Sequence, residues 1–190
     1  MDHSPNVGSD LVRIHKVITR ALAILLHAHH AGEDEIAFPF WRARFPSGAF
    51  DTLVEQHRRM IPFIDQVQGW AGQGAEAWQA DAVNGLHRSL ADLQSSWRAH
   101  IAREEATVGP ENAVRYLSPE ENTLLGRQLA EHGQAHSQPG ELVMPFIVYN
   151  LAGVDREAFL GLLPPVLANQ LIPFAWKPVW EPMKPFLLVD

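Results

Sequence analysis

The chain has 190 residues, 46% of them hydrophobic, which suffices for one domain with its own core plus an extension and excludes a disordered polymer. Its formal charge is -7, with Lys and Arg scattered rather than striped, so nucleic acid is not the expected partner; small molecules, ions and proteins remain. With no cysteine, disulfides, thiolate zinc, iron–sulfur clusters and cysteine nucleophiles are excluded, and any metal must be held by His and carboxylate.

The opening MDHSPNVGSD has neither a basic nor an apolar stretch of the kind that directs export, and no later run approaches the roughly 20 apolar residues of a spanning helix. The expectation is a soluble cytoplasmic protein with no membrane partner. From Asp10, an N-cap candidate, Leu11, His15, Ile18, Leu22, Leu25, His29 and Ile36 recur at helical steps and define one face of a helix. Pro39 disfavours helix through Phe38. A second helix is expected over about Phe50 to Gly69, with Leu53, His57, Met60 or Ile61 and Ile64 on its stripe. A third spans about Ala75 to Thr107, with Leu86, Leu90, Leu93, Trp97, His100 and Glu104 in register.

Beyond GPENA the texture changes. Ser118 as N-cap, Pro119 at the first helical position and Glu121 as capping-box partner open a helix to about His132. GELVMPFIVYNL reads as a buried segment, and a helix from Asp155 is interrupted at Pro164 and Pro165. The tail IPFAWKPVWEPMKPFLLVD, rich in Pro and Trp, is expected to lie as an extended strap with its aromatics covered. Nothing alternates like a strand.

Ten histidines call for a reason. His29 and Glu33 are four apart, as are His100 and Glu104, so each pair stacks on one helix face and can converge on one ion. Both pairs continue apolar stripes, where a lone charge is expensive and ligation offsets that cost. His15 and His57 occupy core-facing registers too. Four inward imidazoles and two inward carboxylates, without thiol, suit iron or manganese in a two-metal carboxylate site, the carboxylates bridging. A single His-x-x-x-Glu is most often only a surface pair; two on core stripes are harder to dismiss. His27, His30 and His87 are expected to face solvent, and Asp34 and Glu35 to form a solvated acidic end, with Asp34 available to support a ligand. His132 and His136 serve either a helix C-terminus or the site.

These motifs resemble the hemerythrin-like, or HHE cation-binding, family. HAHHAGEDEIAFPF is similar to its second-helix signature, EQHRRM to its third-helix histidine, WRAHIAREEA to its fourth-helix motif and LVRIHKVITRAL to its first helix. The resemblance covers about residues 10–107. It implies an all-α fold, an antiparallel helical bundle around two non-haem irons, with manganese as the other metal. His15, His29, His57 and His100 would be terminal ligands and Glu33 and Glu104 bridges. Residues 118–190 would be a C-terminal helical extension.

One departure stands out. Only KVITRALAILLHA separates His15 from His29, without a turn signal, where the family has a helical hairpin. In one continuous helix the two histidines would stand roughly 21 Å apart along the axis, too far to share metals about 4 Å apart. Three arrangements follow: a domain-swapped homodimer delivering His15 to its partner, a bend near Thr19 and Arg20, or a three-helix remnant with a partial site. The resemblance implies binding or sensing of dioxygen or iron. The alternatives are a di-iron enzyme reducing peroxide or nitric oxide, with His132, His136 or Tyr149 as proton donor, and a helical protein-interaction module with a degenerate metal site.

Overall fold

The computed structural model describes residues 21–72 and 80–188. Every regular element among them is helical. Helix α1, residues 21–32, leads into a π-helical turn, Glu33–Ala37, and the chain resumes as α2, Phe38–Arg42. Helix therefore continues through Phe38, contrary to the reading of Pro39 as a stop. Pro39 directly follows the π turn, whose wide register, with the Phe38 amide bonded to the Glu33 carbonyl five residues back, is the kind of local adjustment that accommodates a proline within a helix. Long helices α3, Phe50–Gly72, and α4, Ala80–Val108, follow, then short α5, Pro110–Tyr116. Gly109 divides α4 from α5; a Cβ there would stand 2.2 Å from the Glu105 carbonyl oxygen. Helix α6, Pro119–His136, opens on the expected capping box: the Ser118 amide donates to Glu121 Oε2 at 2.9 Å, and the Glu121 amide to Ser118 Oγ at 3.2 Å.

Residues Leu26–His136 form one compact unit. Its helix directions follow from paired side chains. His57 on α3 meets His100 on α4 while Gln66 meets Ser89, so rising numbers on one helix pair with falling numbers on the other and the two are antiparallel. In the same way His27 faces Asp65 and Asp34 faces His57, which sets the α1 strand of the bundle antiparallel to α3. Arg44 pairs with Glu121 and Glu35 lies against His132, which runs α6 antiparallel to the α1–α2 segment. Buried Leu53, His57, Met60, Ile64 and Val67 form the inner stripe of α3 at steps of four and three. Below the donors, Ala37, Phe38, Trp41, Phe50, Leu53, Leu117 and Leu125 make a hydrophobic core. Leu125 ties α6 into this core, so α6, expected in the C-terminal extension, belongs with the helices before it.

The other unit contains α7, Gly140–Asn150, α8, Gly153–Leu162, a π-helical Leu167–Ala175, α9, Lys177–Trp180, and a 3-10 turn, Glu181–Phe186. Helix α8 ends before Pro164, as expected, with Leu163 extended. The tail is a series of helical turns rather than an extended strap. Pro178 and Pro182 each fall within the first turn of a helical segment, where proline is pre-organised. Trp180 is buried with Ala21, Leu142, Met183 and Leu187, and its indole N–H donates to the Ile172 carbonyl at 2.7 Å. Phe174, expected to be covered, is 72% exposed. No single described helix is long and apolar enough to cross a membrane; α8 and Leu167–Ala175 reach that length and composition only together, across a 110° bend.

Candidate metal centre

The last turn of α1 carries His29 and His30, and the π turn carries Glu33 and Asp34. His57 comes from the middle of α3, His100 and Glu104 from α4. Antiparallel packing brings these to one level of the bundle. Their ligand atoms form two groups, His30 with His57 and His100, and His29 with Glu33 and Glu104; within each group the atoms lie within 4.8 Å of one another.

Glu33 joins the two groups. Its Oε1 is 3.3 Å from His29 Nε2 and its Oε2 3.3 Å from His57 Nε2. Glu104 Oε2 lies 3.1 Å from His100 Nε2. An ion held at about 2.0–2.2 Å by nitrogen and oxygen donors spaces neighbouring donors by about 3.0–3.5 Å, so these separations suit a shared cation.

Tautomers point the same way. His57 Nδ1 is 2.8 Å from Asp34 Oδ1, and a carboxylate there fixes the N–H on Nδ1, so that the ring donates to Asp34 and leaves Nε2 bare. His100 Nδ1 lies 3.4 Å from Gln56 Oε1, while its Nε2 is 3.1 Å from Glu104 Oε2. Without metal, a proton on His100 Nε2 would serve the ionised Glu104 and the bare His57 Nε2, 3.1 Å away on either side, and a cation there would take the place of that proton. Further buried atoms lack hydrogen-bond partners among the described residues: both ring nitrogens of His30 and Glu33 Oε2. Burying such atoms unpaired is unfavourable, and metal ligation would satisfy them.

The electrostatics of the metal-free cluster are those of crowded donors. Burial, helped by the neighbouring imidazoles, lowers His30 to about 2. Burial also lowers His29, against the pull of Glu104. Glu33 is pushed up to about 10, first by burial and then by its hydrogen bond to Glu104 and the charges of Glu104 and Asp34. Burial would raise Glu104 as well, but hydrogen bonds from His100 and Glu33 and the nearby His29 and His100 hold it down, to about 2. The two carboxyls thus retain one proton, on the Glu33 side.

Of the six residues expected to hold metal, the structure brings together His29, Glu33, His57, His100 and Glu104; His15 lies outside the described residues. The sixth donor is one the sequence reading turned to solvent. His30 is 3% exposed, its ring stacked on His57 at 4.1 Å, whereas the His29 side chain is 38% exposed. A signal for it exists: Ala23, Leu26, His30, Glu33 and Ala37 recur at steps of three and four and are all buried. Asp34 supports His57 rather than merely ending a helix. His27 pairs with Asp65 near the surface, and His87 is exposed. His132 lies against Glu35 and stacks on His136. Tyr149 packs on Trp180 in the other unit.

No curated protein and no solved structure gives a significant match to the chain. The profile of the hemerythrin HHE cation binding domain matches residues 2–111, more than half of the chain and a span that includes every donor above. The chain therefore belongs to the hemerythrin HHE cation-binding family.

Proposed function

We propose that the protein holds two non-haem iron ions and uses them to bind or sense dioxygen, or to sense or buffer iron. The observation that supports this most is the placement of Glu33, whose two oxygens address histidines of different donor groups at 3.3 Å each, as a bridging carboxylate would. His30, His57 and His100 would hold one ion, and His29 with Glu33 and Glu104 the other. A set of imidazoles and carboxylates without thiol suits iron, with manganese next. When bound, such an iron pair supplies a redox-active position for a small ligand.

The chain's own residues shape that position. Asp34 orients His57, and Phe38 stacks on the same ring at 5.5 Å. Trp97 sits 6.0 Å from His29 and His30 and 5.8 Å from His100, an aromatic side wall to the three imidazoles. Because His30 supplies a third imidazole to the His57 and His100 group, this reading needs no histidine from a swapped partner.

Elemental analysis after anaerobic ferrous loading tests it. About two irons per chain are expected in the wild type and well under one in His100→Ala. An optical change on oxygen exposure that argon reverses supports dioxygen binding; sustained peroxide consumption moves the function to an enzyme. Wild-type protein holding well under one iron overturns the di-iron reading.

A further inference from the structure

A second cluster of donors lies on α6 where it faces the π turn. His132 and His136, one helical turn apart, stack with ring centroids 4.1 Å apart and planes 20° from parallel. Across from them is Glu35, whose carboxylate is 67% exposed. The His132 side chain is only 8% exposed, and its ring lies against Gly32, with Nδ1 3.3 Å from where a glycine Cβ would be. Its Nε2 is fully buried and has no hydrogen-bond partner among the described residues.

That nitrogen is aimed at Glu35 Oε2, 3.5 Å away. The gap is too long for a good hydrogen bond, for which about 2.7–3.2 Å is usual. It matches the spacing of about 3.4 Å between two donors that share a tetrahedral ion at about 2.1 Å from each. An imidazole pair at i and i+4 can present two nitrogens to one ion; the exposed His136 is stacked on His132 without an ion, and its ring would have to leave that stack to complete the site.

We propose that His132, His136 and Glu35 form a second metal site, outside the central cluster, that takes a single borderline divalent cation of the zinc type and leaves one coordination position to water. Two imidazoles and one carboxylate are a donor set suited to zinc. The ion would tie the π turn that carries Glu33 and Asp34 to α6, so that this site braces the segment holding the central carboxylate.

Zinc binding to the full chain, measured by equilibrium dialysis with elemental analysis, tests the site. His136→Ala and Glu35→Gln are the variants of choice, because both side chains are exposed and neither carries the core; circular dichroism verifies their helicity. Wild type is expected to bind one zinc per chain more than His136→Ala, and Glu35→Gln to bind that zinc at least about ten-fold more weakly. The central donors are intact in both variants, so zinc taken up there cancels in the comparison. Equal zinc stoichiometry and affinity in wild type and both folded variants overturns the proposal.

Discussion

His30 is the residue on which the centre turns. Without metal it is a buried imidazole whose two nitrogens have no hydrogen-bond partner among the described residues, an unfavourable burial of about 1–3 kcal/mol in all. His30→Leu keeps the volume and removes both. The metal-free variant is therefore expected to be more stable than wild type by about 1–3 kcal/mol in urea denaturation, while metal per chain falls. A variant that loses stability and retains its metal would make His30 a packing residue instead. Asp34 acts one step further out. Asp34→Ala frees the tautomer and orientation of His57 and is expected to weaken metal binding about 10–100-fold, with the fold unchanged by circular dichroism.

At the scale of elements, legibility followed how evenly each helix repeats. In α3 the stripe of Leu53, His57, Met60 and Ile64 is bulky and regular, and its burial was readable. In α4, Leu93 and His100 were readable for the same reason, although Leu90 is 39% exposed. In α1 the larger side chains, Leu22, Leu25 and His29, mark a face one residue out of phase with the buried Ala23, Leu26 and His30. The buried face is marked instead by Ala23 and Ala37, which score weakly as hydrophobic because they are small. The π turn adds a second obstacle, since an i to i+5 turn breaks the 3.6-residue period at the three acids and sends Glu33 to His29 and His57, Asp34 to His57 and Glu35 away from them to His132. Small size at Ala37 is also a packing requirement. Ala37→Leu forces extra volume into the core of Phe38, Trp41 and Phe50 and is expected to destabilise by about 1–3 kcal/mol, measured by thermal or urea unfolding.

For the whole molecule, the family was legible because its motifs are local, each carried by a few residues of one helix, whereas the place of α6 depends on long-range packing at Leu125 and Arg44 that no local pattern announces. The donor cluster also sets the response to pH. In metal-free protein His29 and His30 bind protons less readily folded than unfolded, so their contribution to stability is lost as pH falls below about 6.5. Glu33 holds its proton more tightly folded, so stability declines as pH rises from about 4.5 toward about 10. Melting temperature against pH should therefore fall on both sides in metal-free protein. With metal bound, the alkaline decline is expected to vanish, because ligation replaces the proton on Glu33.

That one retained proton has an electrophoretic consequence. The formal charge of -7 counts every carboxylate as ionised, so folded metal-free protein at neutral pH carries about -6. Two divalent ions on the ionised pair would bring the chain to about -3, roughly half that charge. Metal-free and loaded molecules of the same shape should then migrate as separate bands on a native gel and leave an anion exchanger at different salt, the loaded form first. Occupancy of the buried centre becomes visible at the surface as mobility.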